Sequence, residues 1–479
     1  MHRTKFFIGA LWVVLIGLYL PPNNSNLIFR RANSHQDGTS LIYFSTSFEA
    51  KTWRLYDSDP NHIWNRLYRS LYLRVAGDGQ QYGYDELDPL FWYNSKYLFS
   101  GAANQQAINT LDEFLATDAE RLIFDPLKRA MLQRDLWAIF DWTTEGDYSP
   151  SPARRELEVR LAQVIRRLSL PTDRIRALPN NYQDAVSAKK FATKYDPDLP
   201  QVPFLPADLF QPNGPWVLVS AQGGDPVAPA HVFGFSGRSI FLIFVRLPAG
   251  REATLAYLKQ TSEFPRPWLP DEQDPQRFLP NLELPQFPVG TELALVRQMM
   301  LIDDHGNLTP TPVIVQVQIR VHRAIPQVTT QTLDRDRVSA RTSLDTYEFK
   351  LSRAKLFAGD SGGLRPVAPD EKEFPLFQSH GIDLFELTGA QGSLERELRP
   401  ALSSCSSCHY RPGIHSMLSR SVRRNIIPSW DPMYEASTTR GWKQRQYSWG
   451  LLRGLWQQQP PERHRGTVLF SYHNPKAPA

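Results

Sequence analysis

Apolar residues recur at helical spacing through much of the first 200 residues of the chain. Their intervals of three or four positions place them on one face of a helix. Asp125-Pro126 and Ser151-Pro152 each place a capping side chain directly before a proline, a signal for the start of a helix. The expected helices are His62–Val75, Leu127–Trp142 and Glu156–Leu168. This pattern predicts a mostly helical domain over residues 40–198.

Beyond a proline-rich stretch from Asp196 to Pro215, the pattern changes to short apolar runs bounded by turn residues. Runs of this length that are rich in Val, Ile and Leu are typical of strands. The expected strands are Trp216–Ser220, Ser239–Arg246, Glu292–Ile302 and Val313–Val321. Asp304-His305-Gly306-Asn307 separates the last two strands, which predicts a hairpin. Residues 212–350 are therefore predicted to form a β-rich domain, within a chain of the α+β multidomain class.

The N-terminal segment predicts export from the cytoplasm. Three charged or basic residues, His2, Arg3 and Lys5, precede fifteen apolar residues from Phe6 to Leu20. A basic region followed by about 7–15 apolar residues is the pattern of a secretory signal. Because no small-x-small cleavage site follows, residues 1–25 are expected to be either a signal peptide or an uncleaved membrane anchor. We therefore expect an extracytoplasmic protein, in the periplasm.

Composition and charge narrow the classes of protein further. Of the 479 residues, 41% are hydrophobic and 22% are charged, which excludes a chain that is disordered throughout. Two cysteines are too few for a disulfide scaffold. The net charge of +5 is uneven, because residues 401–479 contain eleven Lys or Arg but only three Asp or Glu. Such a basic region is typical of proteins that bind nucleic acid, an anionic surface or an acidic protein.

Both cysteines lie in the short sequence Cys405-Ser406-Ser407-Cys408-His409. This C-x-x-C-H spacing is the attachment pattern of a c-type haem. Two thiols on one turn of chain can each bond to one vinyl group of the porphyrin, and the following imidazole can bind the iron. Covalent attachment takes place outside the cytoplasm, in agreement with the expected export. The sequence therefore predicts one covalent haem c held by Cys405, Cys408 and His409.

Two other uses of these cysteines are weaker. A structural zinc site needs four ligands, which His409 and His415 could complete. A thioredoxin-like redox pair needs its cysteines at the start of a helix that follows a strand, whereas the surrounding pattern is helical or irregular.

Around the motif, residues 385–479 resemble a monohaem c-type cytochrome. The five motif residues carry the resemblance, and the flanking residues have a compatible composition. The resemblance implies a helical cytochrome c-like domain, in which Glu395–Leu402 leads into the motif and Trp442–Trp456 packs against it. Residues 351–384 are then a connector between this domain and the β-rich one.

A sixth iron ligand must reach the face of the haem opposite His409, so the chain has to pass around the edge of the porphyrin. Met433 is far enough along the chain to do so, and its thioether would raise the reduction potential. We therefore predict Met433 as the distal ligand. The alternatives are no protein ligand, His415, Met417, His380, His464 and His473.

Gly359-Asp360-Ser361-Gly362-Gly363 resembles the nucleophile segment of trypsin-like proteases, and His231 precedes it. A catalytic triad also needs a positioned aspartate and a folded barrel around all three groups. The proline that usually follows the segment is replaced by Leu364, and His231 lacks the usual flanking residues. A glycine-rich turn is the favoured interpretation.

These observations predict an exported haem protein that transfers electrons. The basic C-terminal region favours an acidic redox partner protein, and we expect no binding to nucleic acid. Two alternatives stay open: the N-terminal domains could be catalytic and pass electrons to the haem, or a five-coordinate haem could bind and sense a small ligand. Whether the chain is an enzyme is left open by its sequence.

Overall fold

A computed structural model shows how these segments pack. It describes residues 54–75, 81–82, 97–144, 151–221, 223–270, 278–327, 329, 343–373, 399–404, 409, 411–417, 426–429 and 431–457. All of them belong to one compact unit that extends from Thr52 to Ala479. The predicted signal or anchor segment, residues 1–25, lies outside the described residues. No helix in the described part of the chain is long and apolar enough to cross a membrane.

The helices lie mainly in the first half of the chain and at its C-terminal end. Their bounds are α1 Ile63–Tyr72, α2 Gly101–Ala116, α3 Pro126–Thr144, α4 Pro152–Leu168, α5 Thr172–Arg176, α6 Asn181–Ser187, α7 Pro229–Gly234, α8 Arg251–Ser262, α9 Arg353–Phe357, α10 Ala401–Ser404, α11 Pro432–Gln444 and α12 Tyr447–Gln457.

The start of α4 illustrates how the sequence sets these bounds. The hydroxyl of Ser151 accepts a hydrogen bond from the backbone N–H of Arg154 at 3.2 Å. Pro152 occupies the first turn, where the proline's missing N–H costs no hydrogen bond. The capping signal seen in the sequence is thereby confirmed, and the helix begins four residues earlier than its apolar stripe.

The strands form one large sheet and three small pairs. Their bounds are β1 Arg74–Val75, β2 Gln81–Tyr82, β3 Val217–Ala221, β4 Ser239–Arg246, β5 Trp268–Pro270, β6 Phe278–Pro280, β7 Glu292–Ile302, β8 Leu308–His322, β9 Leu344–Leu351, β10 Leu364–Pro366, β11 Lys372–Glu373, β12 Arg399–Pro400 and β13 Ile426–Pro428. The large sheet has seven strands in the order β10-β9-β8-β7-β4-β3-β13, and each neighbouring pair is antiparallel. The α+β class is confirmed.

The hairpin predicted between β7 and β8 is present. Its turn is held by the carboxylate of Asp303, which accepts hydrogen bonds from the backbone N–H groups of His305 and Asn307 at 3.1 and 2.7 Å. Gly306 has a φ of +77°, a conformation that a glycine adopts without strain.

One large hydrophobic cluster joins the helical, β-rich and C-terminal regions of the chain. The largest buried cluster includes Leu67 of α1, Trp137 of α3, Val296 of β7 and Trp456 of α12. Buried polar groups also connect distant parts of the chain. The guanidinium of Arg353 donates two hydrogen bonds to Asp135 at 2.7 and 3.0 Å. The predicted domain boundaries stay predictions, but residues from all three regions share this packing.

The C-terminal region differs from the expected helices in two places. Arg399–Pro400 is a strand, and the helix begins only at Ala401, because a residue before proline is biased away from the helical conformation. The segment expected as one helix, Trp442–Trp456, is instead divided between α11 and α12. Strand β13 adds to the edge of the large sheet, where Ile427 pairs with Ser220.

Candidate metal centre at His409

Of the predicted haem-attachment residues, His409 is described, whereas Cys405 and Cys408 lie outside the described residues. The Nδ1 atom of His409 lies 2.7 Å from the carbonyl oxygen of Ser416. A carbonyl can only accept, so Nδ1 carries the proton and donates it. The Nε2 atom of the neutral ring then presents its lone pair. This arrangement is characteristic of metal-binding histidines, whose other nitrogen is held by a backbone carbonyl or a carboxylate.

A short turn places the Ser416 carbonyl beside His409. Residues Gly413–Ser416 form a 3₁₀ turn, and the N–H of Ile414 donates to Oε1 of Gln286 at 3.1 Å. The Ile414 side chain is buried in an apolar cluster with Phe287 and strand residues of the large sheet. The chain after the motif is therefore anchored on the sheet, which fixes the orientation of the imidazole.

A second histidine lies next to His409. The rings of His231 and His409 are nearly parallel, with an interplanar angle of 5° and ring centroids 6.1 Å apart. His231 belongs to the short helix α7, which connects β3 to β4. Its ring also contacts Phe241 of β4, at 5.2 Å between centroids. The fold thus brings together two histidines that are far apart in the sequence.

Helix α7 is positioned by its own apolar residues and by the turn after it. Val232 and Phe235 are buried in a cluster with Phe241. At the end of the helix, the N–H of Gly237 donates to the carbonyl of Val232 at 2.9 Å. Gly237 has a φ of +66°, so the chain reverses there and enters β4.

Both histidines are neutral at neutral pH. Desolvation is the largest cause, and it lowers the pKa of His409 to about 3 and that of His231 to about 4. The positive charge of Arg320 lowers both pKa values further, and Arg297 also lowers that of His231. A neutral imidazole is the form that binds a metal ion.

Two arginine side chains lie near the rings. Arg320 of β8 donates to the Ser416 carbonyl at 3.4 Å, so this oxygen is shared with His409. Arg297 of β7 is buried and its guanidinium lies 4.1 Å above the ring of Phe235. A cofactor with negatively charged groups would be favoured beside these guanidinium groups.

His415, which the sequence offered as a zinc or distal ligand, is buried at 1% exposure. Neither of its ring nitrogens has a hydrogen-bond partner among the residues described. Burial, with a smaller contribution from Arg411, lowers its pKa to about 4. Within the same set of residues, the one group of three clustered His, Cys, Asp or Glu side chains is Asp303, Asp304 and His305 in the β7–β8 turn. That group gives no support to a haem site.

Met433, the predicted distal ligand, lies in the first turn of α11, and the residue is 45% exposed. Its N–H donates to the Asp431 carboxylate at 2.8 Å, which caps the helix. Met417, another candidate, is buried at 8% exposure in the apolar cluster that contains Ile414. The remaining candidates His380, His464 and His473 lie outside the described residues. In the sequence, His231 stands out only as a possible triad partner, and no local motif marks it as a ligand.

The protease-like segment is a structural turn. Ser361–Gly363 form a 3₁₀ turn, and the Ser361 hydroxyl donates to Asp360 at 2.9 Å. Asp360 also pairs with Lys190 and Lys355. His231 contacts His409 and Phe241 instead, so the interpretation of the segment as a glycine-rich turn agrees with the structure.

No protein-family model, curated protein or solved structure matches this chain.

Proposed function

We propose that the chain is an exported c-type haem protein that transfers electrons through one covalent haem. Cys405 and Cys408 would hold the porphyrin and His409 would bind the iron. The observation that carries the proposal is the hydrogen bond from His409 to the Ser416 carbonyl. His409 is the last residue of a C-x-x-C-H motif that contains both cysteines of the chain. This bond supports the role of His409 because it leaves Nε2 available to a metal.

Each group around His409 then has a defined task. When bound, haem c supplies an iron that changes between the ferric and ferrous states. The Ser416 carbonyl orients the His409 ring and increases its basicity. The apolar cluster that contains Ile414 and Phe287 excludes water from this side of the sheet. Arg297 and Arg320 would offer positive charge to the carboxylates of a bound porphyrin.

The proposal places the haem in the main body of the protein. The resemblance to a cytochrome implied a helical domain over residues 385–479. Within that range, strand β13 pairs with β3, and Ile414 packs beside residues of the large sheet. We therefore propose that the C-x-x-C-H segment is attached to the sheet, with α11 and α12 as helices of the same unit.

The basic residues of the C-terminal region support docking to an acidic redox partner. Opposite charges increase the rate of encounter, and salt reduces that increase. The N-terminal segment supports a location in the periplasm, as a soluble or anchored protein.

Expression in the periplasm together with a haem-attachment system tests the proposal. We expect denatured protein to keep its haem stain and to gain the mass of one haem. Cys405→Ser and Cys408→Ser should each leave at most one thioether bond and sharply lower the yield of haem-loaded protein. Purified wild type with stoichiometric zinc and no Soret absorption would overturn the proposal.

A further inference from the structure

We propose that His231 is the second axial ligand of the haem iron, on the face opposite His409. This inference rests on the proposed function, since it presumes that haem is attached at the motif. It assigns to His231 a place that the sequence had suggested for Met433, and it makes the iron a six-coordinate centre with two histidine ligands.

The spacing of the two rings carries this proposal. If each imidazole nitrogen is about 2 Å from a metal and about 1 Å from its own ring centre, two opposite rings have centres about 6 Å apart. The centroids of His231 and His409 are 6.1 Å apart, and their planes are within 5° of parallel. Stacked pairs elsewhere in this protein range from 4.4 Å between the centroids of Tyr68 and Tyr72 to 5.9 Å for Tyr97 and Trp142, whose planes are 27° apart.

The surroundings of the two rings support a metal between them. The proton of His409 is on Nδ1, held by the Ser416 carbonyl, so the nitrogen left for a metal is Nε2. The ring of His231 also packs against Phe241 of the sheet, with centroids 5.2 Å apart.

The exposure of Met433 also favours His231. Met433 is 45% exposed in the first turn of α11. A thioether that binds haem iron is expected to be buried against the porphyrin, as the hydrophobic shell around a metal controls its access to solvent. His415 is buried, but it is part of the turn that also supplies the Ser416 carbonyl to His409. That turn lies on the Nδ1 side of His409, away from the nitrogen that would bind the iron.

Ligation by His231 has a functional consequence. The two ligands come from different parts of the fold, α7 between β3 and β4 and the segment after α10. Haem binding would therefore fasten the motif to the sheet. A second histidine closes the sixth position, which favours electron transfer over the binding of small ligands, and it lowers the reduction potential relative to a His/Met pair.

The test compares four forms of the haem-loaded full-length protein: wild type, His231→Ala, His231→Met and His305→Ala. His305 is the matched control, since it is an exposed turn histidine. We expect a low-spin ferric spectrum without a sulfur-to-iron band in wild type and in His305→Ala. His231→Ala should become high-spin and bind carbon monoxide when reduced, and added imidazole should restore the low-spin form. His231→Met should gain the sulfur-to-iron band and a higher potential.

The two proposals fail in different ways. Wild type without covalently attached haem, measured by the mass of the denatured protein, would overturn the proposed function and this inference with it. Wild type that carries haem but has the same spin state after His231→Ala would overturn the His231 assignment alone. A sulfur-to-iron band in wild type that disappears in Met433→Ala would also overturn it. If His231→Ala does not fold, His231→Met provides the test. A His231→Met protein with the same spectrum and reduction potential as wild type would contradict the assignment of His231 as a ligand.

Discussion

The ammonium group of Lys443 lies 2.7 Å from Oδ2 of Asp141, and both side chains are completely buried. Arg238 donates to the same carboxylate oxygen at 2.7 Å. Lys443 belongs to α11, Asp141 to α3, and Arg238 directly precedes β4. One buried carboxylate therefore connects the C-terminal helices, the N-terminal helices and the sheet.

We expect Asp141→Asn to destabilise the protein more than Lys443→Met. The first change leaves two buried cations without their counter-charge, whereas the second leaves Asp141 paired with Arg238. Breaking a buried pair by removal of one partner costs about 3–5 kcal/mol. Urea unfolding measures both variants. The control is Lys259→Met, whose exposed pair with Glu263 should contribute less than about 1 kcal/mol. An equally small decrease in the free energy of unfolding in all three variants would contradict the prediction.

The buried carboxylate of Glu292 predicts a pH dependence of stability. It lies 3.2 Å from Arg246, yet burial raises the pKa of its side chain to about 7, from an ordinary value of 4.5. Between these two values the folded state holds a proton that the unfolded state has released. The free energy of unfolding should therefore fall as the pH rises from about 4.5 to 7.

Glu292→Gln should remove this part of the pH dependence, because glutamine does not titrate. Urea midpoints at pH 5 and pH 8 measure the difference for both proteins. Glu263→Gln is the control, since Glu263 is largely exposed. If the urea midpoint of Glu292→Gln changes between pH 5 and pH 8 as much as that of wild type, groups other than Glu292 cause the pH dependence.

Two glycines of one loop provide a matched pair of substitutions. Gly362 has a φ of +60° and Gly359 a φ of +69°, so alanine is strained at both positions. A Cβ atom on Gly362 would collide with the carbonyl oxygen of Asn181, whereas a Cβ on Gly359 meets no atom within 4 Å. Asn181 cannot move freely, because its side-chain amide donates to the carbonyls of Gly362 and Ile314.

We expect Gly359→Ala to lower the free energy of unfolding by about 1 kcal/mol, the cost of the left-handed conformation. Gly362→Ala should cost clearly more, since a backbone carbonyl has to shift as well. Thermal or urea unfolding distinguishes the two. Comparable losses would mean that the contact with Asn181 relaxes without cost.

The C-terminal region is expected not to fold by itself. The indole N–H of Trp456 donates to the Ala162 carbonyl at 2.7 Å, and the rings of Trp449 and Trp137 are 6.3 Å apart. A fragment of residues 385–479 lacks Ala162 and Trp137, so the apolar faces of α11 and α12 would be exposed to water. Circular dichroism and urea unfolding of the fragment measure this. A cooperative transition, with helix content like that of the full chain, would support a separate domain.

The sequence by itself determined the features that depend on near neighbours. The stripe of α4 and the runs of β4 and β7 follow from periodicity, because each side chain's direction is set by its own backbone. The hairpin at Asp303–Asn307 follows from turn chemistry, and the C-x-x-C-H motif is recognisable because its spacing is local.

Only the tertiary structure decided the features that depend on contacts between residues far apart in the sequence. The break between α11 and α12 lets Lys443 face Asp141 while Trp449 faces Trp137. No helix-breaking signal in the neighbouring sequence predicts this break. His231 lies beside His409 because α7 and the turn Gly413–Ser416 pack against the same sheet. The residues around either histidine do not indicate that the other lies nearby. Side-chain periodicity determines which residues point inward, but only packing of the whole chain determines which of them meet.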